Sequence, residues 1–192
     1  MRQLMRTAAA ALAGLVPALA ACQSTVPGPT QPRTATRGPA WVYHDGAFLW
    51  PGDYSFNAKP HYSDKEGAAA GGRSDIKISL TGPWGGFQPF ARDWNFDLGG
   101  YAYLTFDLKP TLARQSIQVY FEKPGDVPTG VTVDAFKYGP APVPGQWATY
   151  KIPLADLGVA GAHIFKFAIQ DETGLANNVF YLDNIGFLPA TP

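Results

Sequence analysis

Three histidines, one cysteine and a thin scatter of carboxylates are the side chains here that could do covalent or metal chemistry. His44, His61 and His163 have no partner at ligand spacing, and the pattern around them predicts surface or sheet positions rather than a general base or a metal centre. No G-x-S-x-G, H-E-x-x-H, Walker A or G-x-G-x-x-G sequence occurs, so the usual signatures of hydrolases, metalloproteases and nucleotide binders are missing. A glycosidase would need two carboxylates facing each other across a cleft. Nothing in the spacing of the acidic residues selects such a pair, and no catalytic residue is expected.

Asp183 stands apart. It lies in Val179-Phe180-Tyr181-Leu182-Asp183-Asn184-Ile185-Gly186-Phe187, a nearly all-apolar run. A carboxylate buried there needs hydrogen bonds or a cation to offset its desolvation. Calcium takes carboxylate and backbone oxygens, and Asp45 could join Asp183 if the terminal strands pair. The alternative is a carboxylate that accepts backbone N–H groups at a strand end.

The cysteine has a different chemistry. Arg2 and Arg6 precede an uncharged apolar stretch, Ala8 to Ala21, which is too short to span a bilayer comfortably and reads as a signal peptide. It ends in Leu19-Ala20-Ala21-Cys22, which resembles the bacterial lipobox, where cleavage precedes the cysteine and the thiol is lipidated. Acyl chains on Cys22 would hold the protein at a membrane. Gln23 is not the Asp of an inner-membrane retention signal, so the bacterial outer membrane is the expected location. A single cysteine also excludes a disulfide framework and a Cys-based zinc site.

The elements that must position these residues are strands. The chain has 192 residues, of which 21 are Gly and 18 Pro, with 14% aromatics, so turns are many. With 15 basic and 15 acidic groups the formal net charge is zero, which argues against nucleic-acid binding. After the signal peptide (1–21), residues 22–39 form a Pro/Thr-rich tether that cannot bury enough surface to fold. The folded domain is expected over 40–188, with a short tail at 189–192. Period-2 alternation marks Ile76–Leu80, Leu104–Leu108, Ile117–Glu122 and Phe165–Gln170 as strands. Further strands are expected at 41–44, 131–137, 147–152 and 178–187, and a short helical turn over Pro153–Gly158. Eight or so strands with no long helix predict an all-β, two-sheet antiparallel jelly-roll sandwich. Apolar alternates build the core between the sheets. The other faces of these strands carry Gln118, Tyr120, Glu122, Lys166 and Gln170.

Several stretches together resemble a known group. They are Trp41-Val42-Tyr43-His44-Asp45, Ser79-Leu80-Thr81-Gly82-Pro83-Trp84-Gly85-Gly86-Phe87, Leu104-Thr105-Phe106-Asp107-Leu108, Gly145-Gln146-Trp147-Ala148-Thr149-Tyr150-Lys151-Ile152-Pro153-Leu154 and Phe180-Tyr181-Leu182-Asp183-Asn184-Ile185. In this order they look like the galactose-binding-like jelly rolls that serve as carbohydrate-binding modules of bacterial polysaccharide hydrolases, with family 11 and neighbouring β-glucan modules the most similar. The resemblance spans 41–188. It implies non-catalytic polysaccharide binding, here without an attached catalytic domain, so that the chain would capture glycan at the surface or act beside separate glycoside hydrolases. A structural or protein-interaction lipoprotein of the same fold is the alternative.

The apolar C–H faces of pyranose rings stack on aromatic rings, and their hydroxyls need planar hydrogen-bonding partners. Candidate contacts are therefore Trp50, Tyr54, Trp84, Phe87, Gln118, Tyr120 and Gln170. Trp50 and Tyr54 lie in the turn-rich Leu49-Trp50-Pro51-Gly52-Asp53-Tyr54, and Trp84 lies between Pro83 and Gly85-Gly86. Aromatics in such loops are more often exposed than strand aromatics. Trp147 and Phe180 are expected in the core.

Overall fold

The structure is a computed structural model that describes residues 37–65 and 72–190. The signal peptide, Cys22 and nearly all of the tether lie outside the described residues.

Among the described residues fifteen strands follow one another. The first seven are β1 (Ala40–His44), β2 (Ala47–Phe48), β3 (Gly52–Asp53), β4 (Ala58–Asp64), β5 (Asp75–Leu80), β6 (Gly86–Phe87) and β7 (Pro89–Phe90). Then come β8 (Phe96–Asp97), β9 (Tyr101–Pro110), β10 (Ile117–Lys123), β11 (Val127–Asp134), β12 (Ala148–Pro153), β13 (His163–Ile164), β14 (Lys166–Asp171) and β15 (Val179–Pro189). The helical content among the described residues is two short 3₁₀ turns, Arg92–Trp94 and Ala135–Tyr138.

Two antiparallel sheets stack to make the jelly-roll sandwich. The first has seven strands: β12-β9-β15-β1-β2 in sequence, with β5 also on β15 and β4 on β5. The second has six: β11-β10-β14-β7-β3, with β6 also on β14. A β8–β13 ribbon stands beside them. Between the sheets the predicted alternates interdigitate. Ile76, Ile78, Leu104, Phe106, Leu108, Ile117, Val119, Phe121, Phe167, Ile169, Phe180 and Leu182 are all fully buried.

Strand β15 organises the first sheet. One edge pairs with β9 along most of its length. The other edge pairs with β5 over Val179–Leu182 and then with β1 over Ile185–Phe187. Asp183 and Asn184 sit where the partner changes, and Asn184 takes a left-handed φ of +47° there.

Two expected elements come out differently. The strand expected at 131–137 runs instead over Val127–Asp134, and Asp134 caps the 3₁₀ turn that follows by accepting from the Phe136 amide at 3.0 Å. After Pro153 ends β12, residues 154–158 turn without forming a helix, closing on Gly158 at φ +69°.

Candidate functional site

The outer face of the second sheet collects the polar side chains that alternate with its core residues. Gln118, Tyr120 and Glu122 on β10 lie directly opposite Gln170, Ala168 and Lys166 on β14. On the other side Gln118 and Tyr120 face Asp134 and Thr132 of β11. Ala168, in the middle of the face, is fully buried. Tyr120 is half-buried, and burial, with Glu122 adding, raises its phenol above the ordinary range. At one end Gln118 Nε2 donates to Gln170 Oε1 at 2.8 Å, and Gln170 Nε2 donates to the Trp84 carbonyl at 2.9 Å.

The other end is ionic. Lys166 Nζ lies 3.3 Å from Glu122 Oε2 and 2.8 Å from Asp126 Oδ1, and Glu122 Oε1 accepts from Gln88 Nε2 at 3.1 Å. Burial works to lower the Lys166 pKa. The hydrogen bonds and charges of Asp126 and Glu122 overcome it and leave the ammonium held above its usual value. The same ammonium stands over the rings of Phe165 and Tyr54, 4.9 and 5.3 Å from their centroids.

Exposed rings flank the face at both ends. Trp84 is 50% exposed beside Gln170, and Tyr54 is 46% exposed, stacked on Phe90 with centroids 4.7 Å apart. Trp94, which the sequence reading missed, is the most exposed of the three at 56% and leans over Phe165 at 5.3 Å. Tyr54, Trp94, Asp126, Phe165 and Lys166 together line an open cavity of about 300 Å³. Trp84 and Trp94 both have left-handed backbone, φ +59° and +55°, a conformation that non-glycine residues keep only where the surroundings impose it. Trp94 has no Gly or Pro neighbour to announce a loop. The one available signal was Asp93, a residue type that tolerates the left-handed region it occupies here at φ +57°. From Lys166 to Gln170 the strand advances ~13 Å, so the two tryptophans belong to opposite ends of one surface.

Of the sequence-derived candidates, Tyr54, Trp84, Gln118, Tyr120 and Gln170 meet on this face. Two do not. Phe87 is fully buried, because the β6 residue opposite Ile169 points between the sheets. Trp50 packs against Phe96, Phe167 and Phe187 at 5.6, 5.7 and 6.1 Å, so its turn folds the ring back onto the core.

Asp183 is fully buried. Its Oδ1 accepts from the Asn184 amide at 2.7 Å, while Oδ2 has no hydrogen-bond partner. Burial pushes its pKa up to about 6; the Asn184 amide opposes this, Asp107 and Asp45 add to it, and His44 counteracts it. Asp45 is turned toward Arg73, whose Nε lies 3.8 Å from its Oδ2. Among the described residues no group of three or more His, Cys, Asp or Glu side chains is gathered as a metal cluster. The unpartnered Oδ2 of Asp183 has the chemistry of one hard-cation ligand, while Asp45 is engaged with Arg73. The three histidines have structural partners: His44 meets Asn184 at 2.7 Å, His163 meets Asn95 at 2.8 Å, and His61 lies 3.7 Å from Asp64.

Solved carbohydrate-binding modules share this architecture. A family 30 module superposes with a TM-score of 0.57 at 17% identity, over 79% of this chain and 98% of that one. A mutant family 29 module in complex with cellulohexaose gives 0.53 at 13% identity, covering 78% and 89%. The family 11 module from Clostridium thermocellum in complex with a β-1,3-1,4-mixed-linked tetrasaccharide gives 0.50 at 16%, covering 80% and 96%. At these identities the likeness is one of fold. No curated protein sequence matches the chain. Residues 42–188, the whole sandwich apart from its outermost residues, match the family described as carbohydrate binding domain 30, and the chain therefore belongs to that family of non-catalytic carbohydrate-binding modules.

Proposed function

We propose that this protein is a lipid-anchored surface module that holds β-glucan-type polysaccharide on the outer face of its second sheet. The observation that carries the reading is the arrangement of that face. Exposed rings of Trp84, Tyr54 and Trp94 flank a floor of hydrogen-bonding tips from Gln118, Tyr120, Gln170, Lys166 and Asp126. Rings serve the C–H faces of sugars and the polar tips serve their hydroxyls. The cellulohexaose and mixed-linked tetrasaccharide in the related family 29 and family 11 modules are both β-glucan fragments, which favours that class of chain over others. Calcium, with Asp183 and Asp45 as its carboxylate ligands, would be structural, removing the cost of the buried charge. Cys22 and the Pro/Thr-rich tether would display the module from the outer membrane, where it retains polymer for separate glycoside hydrolases.

Affinity electrophoresis of the protein through gels containing β-glucan, xylan or mannan tests the binding reading. Retardation in β-glucan is expected. Unretarded migration in every gel would overturn it, and retardation in xylan or mannan alone would overturn the assignment to β-glucan.

A further inference from the structure

The left-handed backbone at Trp84 is fixed from several directions. Four consecutive carbonyls around it are each engaged. Asn57 Nδ2 donates to Pro83 O at 3.0 Å, Gln170 Nε2 to Trp84 O at 2.9 Å, the Asp171 amide to Gly85 O at 2.9 Å and the Phe56 amide to Gly86 O at 3.2 Å. Strained backbone persists where its surroundings over-determine it in this way. Of these four donors, only Gln170 projects from the outer face of the sheet. Gln170 in turn accepts from Gln118, its direct cross-strand partner. The two glutamines thus form a relay from β10 across β14 to the peptide of Trp84. The indole is backed as well. A Cβ on Gly174 would lie 3.0 Å from Trp84 Cζ2 and 3.2 Å from Cη2, so the ring rests on the glycine backbone, which itself has φ +71°.

We propose that Gln118, Gln170 and Gly174 are positioning residues for Trp84: the relay fixes its peptide and Gly174 supports one side of its ring, so that the other side is presented ready to stack. The proposal rests on the reading of this face as a glycan site. Its physical basis is pre-organisation. A ring already held in its bound orientation loses no rotamer freedom when a sugar lands on it. The two glutamines then serve the tryptophan, and through it the ligand, rather than acting only as hydroxyl contacts.

A double-mutant cycle on the full-length protein separates these roles. Gln170→Glu keeps the side-chain length and can still accept from Gln118, but it has no proton to donate to the Trp84 carbonyl. Gly174→Ala places a methyl against the indole. Each is made alone and together with Trp84→Ala. Three quantities are read: affinity for cellohexaose, the near-ultraviolet circular dichroism difference between each variant and its Trp84→Ala counterpart, and the melting temperature. Each single variant is expected to weaken cellohexaose binding roughly 3- to 10-fold, to alter the Trp84-dependent difference spectrum, and to add no further loss once Trp84 is alanine. Losses that add in the Trp84→Ala background would overturn the proposal, since the residues would then act on the sugar independently. So would a Trp84-dependent spectrum that both substitutions leave unchanged. Should Gly174→Ala fail to fold, Gln170→Glu, which places no side chain on a left-handed glycine, decides. If the wild-type protein does not bind cellohexaose, the β-glucan reading fails by itself, while the spectra still decide whether the relay and the glycine position Trp84.

Discussion

Trp84 and Phe87 stand three residues apart in one glycine-rich stretch and have opposite fates: half of the Trp84 surface is in solvent and none of Phe87 is. Their substitutions should therefore separate cleanly. Trp84→Ala should weaken glycan binding by about 5- to 150-fold, the range for losing an anchoring ring at a cost of about 1–3 kcal/mol, and should leave the thermal melt nearly unchanged. Phe87→Ala empties a core site and should cost about 3–5 kcal/mol of stability. A binding titration and a melt on each variant check both. A strongly lowered melt for Trp84→Ala would make it a packing residue instead. The Pro83 and Gly85-Gly86 neighbours were a sound signal for Trp84, because Gly85 is obligatory there: a Cβ at that position would lie 2.4 Å from the Asn57 carbonyl. The same reasoning misplaced Trp50, whose Pro-Gly neighbours set only the local turn. Whether a turn tips its ring outward or onto Phe96 and Phe167 is decided by strands distant in sequence. Trp94 was missed for the converse reason, since its exposure comes from a left-handed pair, Asp93-Trp94, that carries no glycine.

At the scale of the strands, what was legible is what alternation alone determines. β5, β9, β10 and β14 bury their alternating apolar residues, and that periodicity was visible, whereas β15 was legible as a nearly all-apolar run. β4, Ala58–Asp64, was not read as a strand, because Pro60 and its polar neighbours break the pattern. Among the described residues it pairs only with β5, and at such an edge a missing N–H costs no ladder bond. The ionic end of β14 was legible as residue types but not as a network, since Asp126 reaches Lys166 from the β10–β11 turn. That network makes a prediction for the element. Lys166 and Glu122 are each almost nine-tenths buried at the side chain, at 12% and 14% exposure, so removing one partner leaves the other charge poorly solvated. Lys166→Met should lower unfolding stability by about 2–3 kcal/mol, somewhat below the cost of breaking a fully buried pair. Adding Glu122→Gln should restore most of it. Urea unfolding of the single and double variants measures both effects. A single variant as stable as wild type would show that the pair is solvated well enough to contribute nothing.

At the scale of the whole molecule two features tie the module to its setting. If Cys22 carries the acyl chains, as its lipobox-like setting proposes, Cys22→Ser should move the protein out of the membrane fraction on cell fractionation; continued pelleting of the variant would count against the lipobox. The second feature lies where β15 exchanges β5 for β1, the seam at which the first and last of the described strands meet in the first sheet. Asp183 sits there, its pKa pushed up to about 6 by burial, against an unfolded value of about 3.9. Between those two values the folded state binds the proton more tightly than the unfolded state does. The contribution of this group to stability is therefore greatest at low pH and is lost as pH rises through about 6. In chelator the melting temperature should accordingly be higher near pH 5 than this group allows near pH 7.5, by roughly 2–6 °C. A calcium ion on the ionised carboxylate reverses the dependence. It stabilises by RT ln(1 + [L]/Kd), and it does so more at pH 7.5, where the carboxylate is already ionised, than at pH 5, where a proton must first leave. Asp183→Asn removes the buried charge while keeping the shape. It should raise the melting temperature in chelator at pH 7.5 and abolish the response to calcium. Identical melts with and without calcium at both pH values would leave Asp183 as a carboxylate served by the Asn184 amide alone, and an unaltered melt for Asp183→Asn in chelator would show that its burial costs the seam nothing.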